Sequence, residues 1–339
     1  MREKENVQNN LLVSFSGGET SAMMCDFLIK NYSSKYNLIF VFANTGEENE
    51  ETLEFVDKCD KYFNLNLIWV EAQPTFAVRI YGKKRIFYTY LEREIFLNRF
   101  YSEELRELEE HKGKTRYKIE KVRSGTIHKV VDFKNASRKG EPFKKCIDKY
   151  MIPNIGNNWC TRELKLNPIT HYMRSKGYKK NSYSTAVGIR ADQIDRISKD
   201  RIKNKLIYPF IEFKEIIKKD VNTYWNNMPF RLNLKGYEGN CKVCWKKSFR
   251  KLGTIAIESP EKFNFVQKME HKYENFISEG KKHNKNIRLP IRFYRSNKSV
   301  EDIKKLTKNK DFRKADDDSV VYNEEFDLSN GCIESCELY

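Results

Sequence analysis

The sequence predicts an α/β fold built on a parallel sheet, and three observations predict it. Apolar, strand-like runs alternate with helical patterns from residue 11 to residue 80. The first run ends in Ser16-Gly17-Gly18 just before a helical pattern, and the second ends in Asn44-Thr45-Gly46 before another. Strand–helix–strand–helix–strand order sets parallel strands side by side through crossover helices. It also places both glycine-containing loops beyond the carboxyl ends of strands, where ligands bind in such sheets.

Taken in order, Leu11–Phe15 is the first strand. Thr20–Asn31 is a helix with apolar Ala22, Met23, Phe27 and Leu28. Leu38–Ala43 is the second strand, Glu50–Phe63 a helix carrying Leu53, Phe55, Val56 and Tyr62, and Asn66–Val70 the third strand. The rhythm then breaks. Ile80–Glu110 reads as one or two helices, and a basic stretch with scattered glycines follows, so residues 79–155 read as an insertion. The pattern resumes with a helix over Leu164–Gly177, a strand over Asn181–Ile189 and a short apolar run at Leu206–Phe213 broken by Pro209. Lys214–Asn227, Pro260–Ile277 and Val300–Lys308 read as helices. The expected organisation is residues 1–215 as a nucleotide-binding α/β domain containing the insertion, and 216–339 as a helical C-terminal region with a cysteine-containing tail.

Composition narrows the function classes. With 39% hydrophobic and 13% aromatic residues the chain can bury a real core, which excludes global disorder. No apolar run reaches membrane-spanning length. The polar start, Met1 to Asn10, lacks the apolar segment of a secretion signal, so a cytoplasmic protein is expected. Lys and Arg outnumber Asp and Glu by 64 to 47, a net +17, and residues 112–149 hold 13 of the former against 4 of the latter, a local +9. Concentrated positive charge points to a polyanionic partner, tRNA or DNA, gripped by segment 112–149. The oligomeric state is not legible.

The first loop has the chemistry of a phosphate cradle. A strand-to-helix turn aims backbone N–H groups at an anion, and the helix dipole adds roughly 0.3–1 kcal/mol per favourable charge. Gly17 and Gly18 let the backbone approach a phosphate, while Ser16, Thr20 and Ser21 add hydroxyls. An ordinary turn would look similar, so the downstream motifs decide.

Those motifs carry a resemblance. Ser16-Gly17-Gly18-Glu19-Thr20-Ser21 resembles the pyrophosphate loop of the adenine nucleotide alpha hydrolase (PP-loop) superfamily. Asn44-Thr45-Gly46, with Glu51-Thr52, resembles the second-strand motif of its phosphoadenosine phosphosulfate (PAPS) reductase branch. Trp159-Cys160-Thr161-Arg162-Glu163-Leu164-Lys165 with Pro168, Val187-Gly188-Ile189-Arg190-Ala191-Asp192 with Arg196, and Tyr208-Pro209 with Asp220-Val221 and Tyr224-Trp225 resemble three further elements of that branch, in order. The resemblance implies a five-stranded parallel sheet with helices on both faces that binds an adenine nucleotide. By it, Ser16, Gly17, Gly18, Thr20 and Ser21 hold phosphates, Asn44 and Gly46 lie near the adenosine, Gly188 is among the nucleotide-binding residues, and Lys165, Arg190 and Arg196 neutralise the anion, with Lys165 and Arg190 in catalytic roles. The family's loop often carries Asp where this chain has Thr20, which removes a carboxylate from any Mg2+ site there.

Eight cysteines in a chain without a secretion signal suggest metal or redox chemistry rather than a disulfide framework. Cys241-Lys242-Val243-Cys244 is a C-x-x-C whose thiolates could share one metal or cluster, and Cys160 lies 81 residues upstream (241 − 160). That gap resembles cluster-bearing sulfate-nucleotide reductases, although one cysteine of their upstream pair is missing. The expectation is a [4Fe–4S] cluster on Cys160, Cys241 and Cys244, with Cys146 a candidate fourth ligand and zinc the alternative metal. Cys336, near Cys332 in the tail, loosely resembles the reductases' nucleophilic cysteine.

Two enzymatic readings follow. In the first, ATP is split at its α-phosphate to adenylate a nucleic-acid acceptor, which then receives sulfur. In the second, PAPS or adenylyl sulfate is the substrate and Cys336 attacks its sulfur. A non-catalytic nucleotide- or nucleic-acid-binding module is the third.

Overall fold

The computed structural model of the chain describes residues 9–80, 83–89, 91–99, 119–122, 124–239, 241–284 and 286–317. The first strands are β1 Asn9–Phe15, β2 Tyr36–Asn44, β3 Ile68–Pro74, β4 Phe76–Ile80, β5 Lys83–Phe87, β6 Ile119–Val122 and β7 Thr126–Val131. Further on come β8 Ser184–Val187 and β9 Leu206–Ile207. The main sheet has the order β7-β3-β2-β1-β8-β9. β1 pairs parallel with both β2 and β8, β2 with β3, and β8 with β9.

Alternation along the strands sets the layers. Leu11, Val13 and Phe15 point to one face and join the core formed with α1 (Glu19–Tyr32), α2 (Glu50–Phe63) and α7 (Lys218–Asn226). Leu12 points to the other face and meets Val41, Ala43 and Val70 beneath Ile169, Tyr172 and Met173 of α5 (Asn167–Ser175). Successive strand residues alternate faces. Each fully buried side chain of this kind contributes about 1.5–3 kcal/mol relative to exposure.

The expected parallel sheet is present with one strand more than expected. The five parallel strands are joined at the β3 edge by β7, which runs antiparallel, with Trp69 opposite Val131 and Pro74 opposite Thr126. β7 lies inside the stretch read as an insertion. Its Ile127 and Val131 alternate with polar and basic residues, a half-buried edge pattern that the surrounding charge conceals. The expected helices over 80–110 differ too. β4, β5 and β6 form a separate small antiparallel sheet, and the helix α3 covers only 91–99. Residues 100–110 of that reading lie outside the described residues.

A second core joins distant parts of the chain. Phe143 and Ile147 of α4 (Glu141–Tyr150) pack with Trp159, Leu164, Leu252, Ile255, Phe263, Val266, Phe293 and Ile303. Thus α8 (Phe249–Glu258), α9 (Asn264–Tyr273) and α10 (Val300–Leu306) share one apolar interior with residues 143–164. The short helix α6 (Pro209–Glu212) follows β9. Among the described residues, no helix is long and apolar enough to cross a membrane.

Candidate functional site

The loop after β1 is built by its own side chains. Gly17 sits at φ +86, and a Cβ there would stand 2.8 Å from Thr52 Cγ2 at the start of α2. Only glycine satisfies both the backbone and the contact. The Ser21 hydroxyl is buried and committed within the loop. It accepts from Ser16 N at 3.2 Å, pairs with Ser16 Oγ at 2.9 Å and donates to the Gly18 carbonyl at 2.9 Å. Ser21 therefore shapes the turn, while exposed Ser16 and half-buried Thr20 remain at its surface. Gly188, just past β8, would bring a Cβ to 3.1 Å from Ser21 Cα, so the β8 exit packs directly on the loop.

The flanking motifs hold this helix end in place. Trp225 Nε1 donates to the Glu19 carbonyl at 3.0 Å, Tyr224 donates to Asp26 at 2.8 Å, and Arg231 pairs with the Glu19 carboxylate. Arg190 is buried and engaged by Asp192 through two hydrogen bonds, at 2.8 and 3.1 Å. Arg196 closes the short helical turn after it. Both arginines follow β8 and so stand at the same sheet edge as the loop.

The loop after β2 is fixed by acids that sequence reasoning did not single out. Buried Glu71 on β3 accepts from Asn44 Nδ2 at 2.7 Å and from the backbone and hydroxyl of Ser137. Asn44 Oδ1 accepts from Gly46 N, and Glu48 accepts from both the backbone and the hydroxyl of Thr45. Gly46, at φ +81, faces Gly140 closely, and Gly140 N donates to the Gly46 carbonyl at 2.9 Å.

This second loop also carries the cysteine segment. Glu48 and Cys241 form an antiparallel bridge, Lys242 N donates to the Glu47 carbonyl at 2.8 Å, and the Thr45 hydroxyl lies 3.6 Å from Cys241 Sγ. The C-x-x-C turn is braced from behind by Lys247. That side chain is 1% exposed, and its ammonium donates to the carbonyls of Tyr237 and Gly239.

Cys160 arrives from another direction. It precedes a π-helix over Thr161–Leu166, a wide turn of the kind that clusters at functional sites. Buried Glu163 anchors that turn, accepting from Thr126, Arg162 and Asn167, and those donors hold its carboxyl below the usual range against the opposing effect of burial.

The result is a recess of about 500 Å3, counting its open mouth, where Cys160, Cys241 and Cys244 meet Thr45, Glu47, Thr161 and Lys165 against aromatic walls. Glu47 is 3% exposed, and burial pushes its carboxyl up to about 8. Cys146 does not line this recess. It lies fully buried in the second core, where desolvation pushes its thiol well above the ordinary value. Cys332 and Cys336 lie outside the described residues. Among the described residues, no group of three or more His, Cys, Asp or Glu side chains is arranged to hold a metal ion. Cys160, Cys241 and Cys244 all line this one recess.

Comparison with known proteins agrees with this geometry. The model of the phosphoadenosine phosphosulfate reductase domain matches residues 10–206, more than half of the chain. The uncharacterized nin region protein ORF290 of Escherichia phage lambda is 26% identical over 331 residues, covering 97% of this chain and 94% of that protein. No solved structure matches.

Proposed function

The chain belongs to the phosphoadenosine phosphosulfate reductase family, and from that premise we propose that it is an ATP-dependent sulfur-transfer enzyme acting on a nucleic-acid acceptor. One observation carries the reading. The loop that would hold the adenosine, Asn44 to Gly46, is also a wall of the recess that gathers Cys160, Cys241 and Cys244. A nucleotide-activated acceptor and a sulfur-handling site would thus share one segment of chain.

In this reading Ser16, Gly17, Gly18 and Thr20 hold the phosphates, with Ser21 and Gly188 shaping the cradle. An acceptor oxygen attacks the α-phosphorus, the bond to the β-phosphate oxygen breaks, and pyrophosphate leaves. Backbone N–H groups at the start of α1, with Arg190 and Arg196, stabilise the departing charge. A hydrosulfide equivalent then adds to the adenylated carbon, and AMP departs with the original oxygen. Lys165, placed beside Cys160 by the π-helix, supplies a cation between the two steps. Cys160, Cys241 and Cys244 would hold a [4Fe–4S] cluster, which when bound supplies a site for sulfur.

The test is pyrophosphate release from ATP with and without tRNA or DNA, joined to mass spectrometry of nucleosides from cells with and without the gene. ATP cleavage stimulated by nucleic acid, with a sulfur-bearing nucleoside lost on deletion, is the expected result. The family match itself favours a second reading, reduction of PAPS or adenylyl sulfate. Sulfite production from PAPS without ATP cleavage would establish that reading and refute the first.

A further inference from the structure

The chain between β8 and β9 builds a knob that the sulfur-transfer chemistry does not use. Residues 176–205 hold nine Lys or Arg against three Asp, a local +6 (9 − 3). The knob carries Ile202, which is 85% exposed, the highest value of any large apolar side chain among the described residues, and Ile194 is 63% exposed on the same connection. Single exposed apolar side chains are ordinary on protein surfaces, so exposure alone assigns nothing.

What sets Ile202 apart is how firmly its turn is built. At the base, Ile197 packs with Ile189, Leu206 and Tyr208. Ser198 N donates to the hydroxyl of buried Tyr208 at 3.0 Å. Arg201 N donates to the Ser198 carbonyl, Asn204 N to that of Asp200, Lys205 N to that of Ile202, and Leu206 N to that of Arg201. The Lys205 ammonium donates to the Asn181 carbonyl at 2.7 Å, which joins the knob to the turn at 179–182. A side chain held out on a preformed turn loses little freedom when a partner covers it.

The surrounding charge selects the partner. Lys179, Lys180, Lys199 and Lys203 stand exposed on these two turns, with no ion pair among the described residues. Unpaired cations around an apolar tip fit a polyanion that also offers an apolar cleft. A nucleic-acid duplex is such a partner: its phosphates attract lysines, and its minor groove admits apolar wedges, isoleucine among them. The connection that carries the knob starts at Gly188, which packs on Ser21, and then bears Arg190 and Arg196. The knob and the edge of the nucleotide loop are thus parts of one short stretch of chain.

We propose that the knob at 198–205 docks a nucleic-acid duplex, with Ile202 seated in the minor groove and Lys199 and Lys203 beside its phosphates. The inference rests on the nucleic-acid acceptor of the reading above and adds a contact outside residues 112–149.

The experiment uses the full chain and fluorescence anisotropy with labelled tRNA and, separately, labelled duplex DNA. Ile202→Ala is expected to weaken binding at least about tenfold, the scale of one apolar side chain left in water. Its salt dependence should match wild type, because no charge is lost. Ile202→Leu should restore most of the affinity. Lys199→Glu combined with Lys203→Glu should also weaken binding at least about tenfold at about 50 mM salt. Ile257→Ala, at a 42% exposed position on α8, should bind as wild type does. Circular dichroism confirms that each variant is folded, and the ligand with the larger loss, RNA or DNA, identifies the duplex. Wild-type affinity for both ligands in Ile202→Ala would overturn the assignment alone, even where nucleic acid still stimulates ATP cleavage. Unchanged affinity together with a smaller particle mass by light scattering would give the knob to a second copy of the chain instead. Wild-type protein that binds neither ligand would overturn the nucleic-acid reading and this inference with it.

Discussion

The hydroxyl oxygen of Thr45 lies 3.6 Å from the sulfur of Cys241, 196 positions further along the chain. The Thr45 hydroxyl also donates to Glu48 at 2.8 Å, so it contacts the acid and the cysteine at once. One side chain therefore ties the loop after β2 to the cysteine turn. Thr45→Val keeps the shape but removes the hydroxyl that Glu48 Oε1 and Cys241 Sγ contact. Its expected cost is about 1–3 kcal/mol, the usual penalty for a buried polar group left unmet. Thr45→Ser should recover most of that loss. Urea unfolding of the two variants measures it, and equal stability of Val and wild type would refute the linkage.

Gly17 and Gly18 separate backbone need from phosphate access. Gly17→Ala forces a Cβ to 2.8 Å from Thr52 at positive φ, so a loss of about 1–2 kcal/mol from the backbone alone is expected together with weakened nucleotide binding. Gly18 has ordinary φ −99, and its Cβ would meet only Ser16 Oγ at 3.9 Å. Gly18→Ala should leave the unfolding midpoint unchanged yet raise the Kd for ATP at least about tenfold, or about 1.4 kcal/mol. Calorimetric titration reads this, and an unchanged Kd would show that no phosphate approaches the backbone there.

What the sequence reveals tracks how periodic each segment is. β1, α1, β2, α2 and β3 are legible because apolar residues recur at strand and helix spacing and each loop carries glycine. β5 is not, since Lys83-Lys84-Arg85 gives it a charged, exposed face that reads as helix surface. The cysteine spacing singles out Cys160, Cys241 and Cys244, and all three line one recess. Glu71, Glu163 and Lys247 left no signal, because a buried charge looks like any surface charge until its partners fold around it. Glu47 was masked in the same way: four acids within Glu47–Glu51 read as a helix start favoured by the dipole.

Acid should weaken the fold through a histidine pair. His128 on β7 and His171 on α5 place their Nδ1 atoms 2.6 Å apart, a contact that holds one proton and not two. Burial lowers both pKa values, helped by each ring's positive neighbours: His171 and Lys176 beside His128, and Arg174 beside His171. The folded imidazoles thus titrate below the unfolded value of about 6.5, and the unfolded chain binds more protons as pH falls through that range. Stability present above about 6.5 is lost on acidification. Comparing urea midpoints at pH about 7.5 and about 5.5 in wild type and His171→Gln checks it. A pH dependence no shallower in the variant would refute the assignment.

Lys247 should behave as a structural cation. Its ammonium caps two carbonyls behind the C-x-x-C turn, and Lys247→Met keeps the stem while orphaning both. Bonds to charged groups contribute about 1.5–3 kcal/mol each, so a loss of a few kcal/mol is expected. The C-x-x-C turn should open with it, read as faster alkylation of Cys241 and Cys244 by a thiol reagent, since both lose their support. A variant as stable as wild type, with its two thiols no more reactive, would show that the turn holds itself.

The basic segment makes a quantitative claim about any nucleic-acid partner. Of its 13 Lys and Arg, several are already committed. Lys149 points inward to the carbonyls of Thr75, Ser124 and Gly125, and burial pulls its pKa down to about 8. Arg138 pairs with Glu50 and Lys144 with Asp148, and residues 112–118 and 123 lie outside the described residues. Lys129, Lys134, Lys139 and Lys145 remain exposed, with no ion pair among the described residues. If these four meet phosphates, the logarithm of the binding constant should fall with the logarithm of salt at a slope of roughly −3 for a single strand to −4 for a duplex. Changing all four to Gln should flatten that slope by the same amount and leave ATP affinity as it was, because none of them touches the Ser16–Ser21 loop. Fluorescence anisotropy with labelled tRNA and duplex DNA between about 50 and 200 mM salt gives both numbers. A slope that survives the fourfold change would move the contact surface elsewhere on the protein.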